Sequence, residues 1–173
     1  MSPQTLFQLH LALGYVACLL CIGVYVLPRL RSMERIEAQR VIATVHSFRF
    51  FGLVFILPGV VGPNLPAGFA YFSAYGDFAT GVLAMLALLT VRVHPLFWSF
   101  VVAFNLVGTV DIILNYYHAV KLGLPALAGQ LGAAYAIPVL YVPMLMITHL
   151  LAFYWLVRPR SKAALEQPDQ VGL

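Results

Sequence analysis

Five long apolar stretches constrain this chain more than any other feature of its sequence. A helix needs about 20 apolar residues to cross the hydrocarbon core of a bilayer, and each stretch reaches that length. The stretches cover residues 6–27, 41–62, 70–91, 96–118 and 133–157. Lipid allows only helices or closed barrels, and these stretches lack the alternation of apolar and polar residues that barrel strands show. The sequence therefore predicts an all-α polytopic membrane helix bundle with five transmembrane helices within residues 1–157.

The composition leaves little room for a separate soluble domain. Hydrophobic residues make up 62% of the 173-residue chain, and charged residues make up 9%. Soluble domains carry roughly 25% charged residues, so this chain is suited to a solvent that disfavours charge. Residues 158–173 are polar, and we expect them to form a disordered tail on the cytoplasmic side.

The basic residues lie almost entirely on one side of a five-span topology. Those that share this side are Arg29, Arg31, Arg35, Arg40, Arg92, Arg158, Arg160 and Lys162. The connections on the opposite side carry Lys121 alone. Because cytoplasmic loops hold the excess of Lys and Arg, we expect the N-terminus outside and the C-terminus in the cytoplasm, in a multi-pass protein of the cell inner membrane. The net charge of +4 then reflects topology and contact with membrane lipids, and implies no nucleic-acid partner.

Three formal charges fall inside the apolar stretches, namely Arg49, Asp77 and Asp111. Arg49 is expected near mid-membrane, and both Asp residues are expected within about two helical turns of the external end. An unpaired charge there costs several kcal/mol, so we expect Arg49 to form a buried ion pair with a carboxylate. One Arg and two Asp leave a surplus negative charge, which a proton on one Asp or on a nearby His would remove. These three residues are the candidate catalytic groups; the alternative is that they only hold helices together.

Polar side chains on neighbouring helices are candidates for binding a substrate. Asp111, Asn115 and His118 follow an i, i+4, i+7 spacing and therefore share one face of the fourth helix. His10 is expected at the same height on the first helix. The predicted substrate-binding residues are His10, Asn105, Asn115, Tyr117, His118 and Tyr141.

Two histidines raise the alternative of a cofactor. His46 and His149 are expected at the same height, near the cytoplasmic ends of helices that run in opposite directions. Two facing histidines are able to ligate haem b, although membrane histidines more often bond to a neighbouring helix. No spacing typical of a metal site is present, so the main expectation is a site without metal or cofactor.

Two short motifs flank the candidate charges. Arg49 and Gly52 form R-x-x-G within "HSFRFFGLVF", and "GDFATG" (residues 76–81) forms G-D-x-x-x-G. In these motifs the chain resembles small uncharacterised bacterial polytopic integral membrane proteins. The resemblance implies a helical membrane protein of a bacterial inner membrane and carries no activity with it.

Three classes of function remain open. The first is an enzyme acting on a lipophilic substrate (isoprenoid, epoxide, sterol-like or quinone) by Asp/His acid–base chemistry, as an isomerase, hydrolase or lyase without a redox cofactor. The second is an accessory or haem-binding subunit of a membrane complex, and the third is a proton-coupled carrier; the chain could also form a homo-oligomer. The sparsely charged connection 121–132 is expected to lie in the interface or to fold over the bundle as a lid, which favours the enzyme. The lack of an internal repeat disfavours the carrier.

Overall fold

The computed structural model describes residues 1–157, which are mostly helical and contain no β-strand. Four helices are long and apolar enough to span a membrane: α1 (Pro3–Ser32), α3 (Ala67–Leu89), α4 (His94–Lys121) and α5 (Ile137–Val157). The all-α class predicted from the sequence is thus confirmed for the described part of the chain. The predicted tail 158–173 lies outside the described residues.

The second apolar stretch forms a helix of different character. Here α2 (Arg35–Ser47) begins earlier than the predicted residue 41 and continues as a 3₁₀ segment (Phe48–Ile56). The helix ends because Pro58 disfavours the helical conformation for the residue before it, and Leu57 is extended with a ψ of 119°. Gly59 then turns the chain with a φ of +81°.

Proline residues shape the contact between α1 and α5. Pro143 has no N–H to bond the carbonyl of Val139, and the helix forms a π-turn there (Ile137–Tyr141). Gly14 of α1 packs directly on this carbonyl, and a Cβ at Gly14 would overlap the Val139 oxygen. A glycine is therefore required where α1 packs against α5.

The connection between α4 and α5, here called the capping loop (Leu124–Tyr135), folds back over one end of the bundle. Its turns are mostly 3₁₀, and both Leu124 and Leu131 are fully buried. The Gly62 N–H donates to the Gln130 carbonyl at 2.7 Å, so the loop is tied to the α2–α3 connection. The loop packs over the bundle, as a lid would.

Arg35 joins three helices at the other end of the bundle. Its guanidinium donates to the carbonyls of Trp155 at 3.1 Å and Leu156 at 2.7 Å. The same group lies 5.4 Å from the ring centroid of Trp98. These contacts bring the start of α2, the start of α4 and the end of α5 together, and they satisfy carbonyls that a helix C-terminus leaves unpaired.

Candidate functional site

Arg49 lies at the centre of a buried polar cluster, with 1% of its surface exposed. Its Nε and Nη2 contact Asp77 Oδ1 at 2.7 Å, and Nη2 contacts Asp111 Oδ2 at 2.5 Å. Its Nη1 faces the Gly108 carbonyl at 3.3 Å and His149 Nε2 at 3.2 Å. Each guanidinium nitrogen therefore has an acceptor from the protein. The side chain ties the 3₁₀ segment to α3, α4 and α5.

His149 is a neutral acceptor in this cluster. Because Arg49 can only donate, Nε2 of His149 accepts, and its proton must lie on Nδ1. Nδ1 is 2.9 Å from Asn105 Oδ1, and the Asn105 amide donates to the Val101 carbonyl at 2.8 Å. Asn105 therefore orients His149. It was predicted to bind a substrate but lies behind the cluster.

The two carboxyl groups differ in their hydrogen bonds. Asp111 accepts a hydrogen bond from Arg49 on Oδ2 and one from the Asn115 amide on Oδ1, the latter at 3.1 Å. Asn115 is in turn held by the hydroxyl of Ser73, which donates to its Oδ1 at 2.5 Å. Asp77 receives Arg49 on Oδ1, whereas its Oδ2 has no donor among the described residues. Of the four carboxyl oxygens, Asp77 Oδ2 is the one without a donor among the described residues.

Glycines make the room that the cluster occupies. A Cβ at Gly52 would overlap the carboxyl group of Asp77, and a Cβ at Gly76 would overlap that of Asp111. A Cβ at Gly81 would press on the backbone of the 3₁₀ segment. These are the glycines of the R-x-x-G and G-D-x-x-x-G motifs. Both motifs therefore have a physical meaning. Their glycines lack a side chain where the carboxyl groups of Asp77 and Asp111, or the backbone next to Arg49, come closest.

An apolar cavity of about 200 Å³ lies above the cluster. Its polar floor consists of Arg49, Ser73, Asp77, Asp111 and Asn115. Apart from Gln8 and Tyr116, its walls are apolar and come from α1, the 3₁₀ segment, α3, α4, the capping loop and α5. The apolar residues include Phe7, Leu11, Phe55, Phe69, Ile112, Ala119, Leu124 and Ile137. A small apolar body with one polar end fits such a space.

Two of the predicted ligand-binding residues face away from this cavity. His10 is largely exposed, and its Nδ1 bonds the Tyr135 hydroxyl at 2.8 Å, which ties α1 to the capping loop. His10, predicted to bind a substrate at the height of the Asp residues, does not line this cavity, whereas Phe7, Gln8 and Leu11 of α1 do. Tyr117 is 56% exposed and lies beside the Lys121 ammonium group on the outer surface of α4.

Two more predicted residues contribute to packing rather than to the cavity wall. His118 packs its ring edge-on against Phe72, with centroids 4.6 Å apart. Tyr141 donates to the Val45 carbonyl at 3.0 Å and joins α5 to α2. Of the six predicted ligand-binding residues, Asn115 alone lines the cavity.

The arrangement of His46 and His149 does not fit haem. Their ring centroids are 4.0 Å apart with an interplanar angle of 36°, so the two imidazoles pack directly on each other. Axial ligation would need the porphyrin between the rings. In addition, His46 Nε2 bonds the Thr148 hydroxyl at 3.1 Å, and a guanidinium cation lies against His149. No cluster of at least three metal-ligating side chains occurs within residues 1–157.

Sequence reasoning missed some members of the site. Ser73 lies four residues before Asp77 and thus on the same face of α3, so the i, i+4 rule could have found it. Tyr116 on α4 bonds Tyr15 on α1 at 2.8 Å between their hydroxyl oxygens. That pairing has no local signal in the sequence, because it depends on how α1 docks.

Comparison with known proteins gives one match. The family model described as a domain of unknown function (DUF8737) matches residues 6–157. The chain belongs to this family. The match includes the whole cluster around Arg49 and every residue of the cavity wall, so the site lies inside the family's domain. Neither a curated protein nor a solved structure matches the chain.

Proposed function

We propose that this protein is an integral membrane enzyme of a bacterial inner membrane, in which Asp77 performs acid–base chemistry on a lipophilic substrate. The observation that carries the proposal is a buried carboxyl group, Asp77, that lines an apolar cavity and has one oxygen, Oδ2, without a donor among the described residues. A carboxyl group in such a position can give a proton to a bound molecule and take one back.

Charge balance supports a proton on Asp77. With Arg49 ionised and His149 neutral, two ionised carboxylates would leave a net negative charge in a region of low dielectric, which is unfavourable. Asp111 accepts from Arg49 and Asn115 with separate oxygens, and these bonds stabilise its ionised form. A proton on Asp77 Oδ2 neutralises the cluster without breaking any bond to Arg49.

The remaining residues keep the acid in place. Arg49 and Asp111 form the charged pair that orients Asp77, while Asn115 and Ser73 orient Asp111. A cycle in which Asp77 protonates the substrate and recovers a proton from it, or from water, is redox-neutral. The reaction class is then that of an isomerase, hydrolase or lyase.

The proposal includes five membrane passes with the N-terminus outside. Two structural observations support the additional pass through α2 and the 3₁₀ segment. At about 1.5 Å and about 2.0 Å per residue, these segments together exceed the roughly 30 Å of the hydrocarbon core. They also run from one end of the bundle to the other. Arg35 lies beside the end of α5, and the connection that follows the 3₁₀ segment bonds to Gln130 of the capping loop at the opposite end. Polar buried residues lower the hydropathy of this segment without preventing it from crossing inside the bundle.

The test uses Asp77→Asn, which keeps the shape and the hydrogen bonds to Arg49 but cannot transfer a proton. We expect turnover of a co-purified or screened lipophilic substrate to fall by about 10²–10⁴-fold, with little loss of stability. The infrared C=O band of a protonated carboxylic acid should be present in the wild-type protein at neutral pH and absent in Asp77→Asn. The control Glu37→Gln changes an exposed carboxylate and should keep the band. A band that persists in Asp77→Asn, or is missing from the wild type, would show that Asp77 does not hold the proton.

A further inference from the structure

We infer that the molecule bound at this site is an uncharged single-chain amphiphile whose head group is an alcohol, ketone or aldehyde, and that it enters from the membrane between α1 and α4. This inference rests on the function proposed above and names its substrate class. Three features of the cavity carry it: the donors and acceptors at its floor, its volume and the position of its mouth.

The floor selects the head group. Every guanidinium nitrogen of Arg49 already has a protein acceptor, so Arg49 offers no donor to an anion. An anionic head would also lie beside the carboxylate of Asp111 and be repelled by it. A cationic head would require Asp77 to lose the proton on which the proposed chemistry depends, and it would carry its own desolvation cost. An uncharged oxygen accepts from Asp77 Oδ2–H and leaves the charge of the cluster unchanged.

The volume limits how much of the attached hydrocarbon chain the cavity encloses. The cavity of about 200 Å³ is smaller than the roughly 300–1,000 Å³ of sites that enclose a drug-sized molecule. It is closer to the roughly 150 Å³ cavity that holds a benzene ring in an engineered protein. Only the head and the first part of one chain fit inside, so the rest of the chain must leave through the mouth.

The mouth lies between α1 and α4 near the capping loop. Gln8 and Val120 line the cavity and are also exposed on the outer surface, Val120 by 76%. Along α4, Asp111 and Val120 are separated by about 13.5 Å at about 1.5 Å per residue. Deeper in the bundle the hydroxyl groups of Tyr15 and Tyr116 bond at 2.8 Å and join the two helices. A chain with its head at Asp77 would therefore reach lipid near the end of α4.

The experiment measures competition for a photoreactive probe. A decanol carrying a diazirine is cross-linked to the protein in phosphatidylcholine nanodiscs, and mass spectrometry locates the labelled residues. We expect labels on the cavity wall, at residues such as Phe7, Ile112 and Ala119. Unlabelled 1-decanol and 2-decanone should compete at membrane mole fractions about tenfold lower than decane, decanoate or decylammonium, which corresponds to about 1.4 kcal/mol.

A matched pair of substitutions tests the location. Ala119→Trp fills the cavity without touching the polar cluster and should abolish competition by decanol. Val110→Trp lies on the opposite side of α4, where Val110 is 54% exposed, and should leave competition unchanged. Competition by decanoate or decylammonium that equals that of decanol would overturn the inference, as would equal effects of the two Trp variants. Either result would overturn the substrate class while the infrared band of protonated Asp77 remained. Absence of that band from the wild-type protein would instead refute the proposed function.

Discussion

Replacing Arg49 should show how the two carboxyl groups share its charge. Arg49→Met preserves the length of the side chain but removes the guanidinium group and its contacts to Asp77 at 2.7 Å and Asp111 at 2.5 Å. Breaking a buried ion pair by removing one partner typically costs about 3–5 kcal/mol, because the other charge is left uncompensated. We expect a loss of that size in the free energy of unfolding. Most of it should come from Asp111, which is the ionised partner in the proposed charge distribution.

Two double variants separate the contributions of the carboxyl groups. Adding Asp111→Asn to Arg49→Met removes the uncompensated charge and should recover about 2 kcal/mol or more. Adding Asp77→Asn replaces a group that is already neutral and should recover less than about 1 kcal/mol. The free energies are measured by unfolding in mixed detergent micelles at neutral pH. If neither double variant recovers stability, the ion-pair interpretation is wrong; if Asp77→Asn gives the larger recovery, the proton has been assigned to the wrong carboxyl group.

Two further predictions concern packing and topology. Gly76→Ala should lower the melting temperature because its Cβ would overlap Asp111, even though Ala favours a helix by up to about 1 kcal/mol over Gly. The control Gly68→Ala has no neighbour within 4 Å and should not lower it. Equal melting temperatures of the two variants would contradict the contact. In a variant without native cysteines, Asn64→Cys and Ala126→Cys should react with an impermeant thiol reagent from outside and Ser32→Cys should not. Ala126 is chosen because it is exposed and makes no side-chain bond across the loop. The opposite labelling pattern would reverse the proposed orientation.

The relative heights of residues on neighbouring helices could be predicted from the sequence, and they were enough to bring the three charged residues together. Counting residues from the predicted ends placed Arg49 within reach of Asp77 and Asp111, and the structure brings all three together. The physical reason is that lipid strongly disfavours an unpaired charge, so few partners are acceptable. The same counting placed His46 and His149 at one height, and their rings are indeed in contact.

Rotation about each helix axis could not be predicted, and it accounts for the misplaced residues. His10 and Tyr117 have suitable heights but lie on faces that turn away from the cavity. An amphipathic helix reveals its buried face through the contrast between polar and apolar residues. A membrane helix is apolar toward lipid and toward protein, so that contrast is missing. Small residues are the better signal, since Gly52 and Gly76 mark the faces that pack against the cluster.

In the function proposed here, the structural and the catalytic explanations of the buried charges apply to different residues. Lipid favours a guanidinium group whose N–H groups all have acceptors, and Arg49 meets this condition by joining the 3₁₀ segment, α3, α4 and α5. A group so fully bonded has no N–H donor left for a ligand. Arg49 and Asn115 together bond to three of the four carboxyl oxygens, and Asp77 Oδ2 is the one without a donor among the described residues. Asp77 lines the apolar cavity. Arg49 and Asp111 therefore join the helices, and in the function proposed here they also hold Asp77 where its proton would face a lipophilic molecule in the cavity.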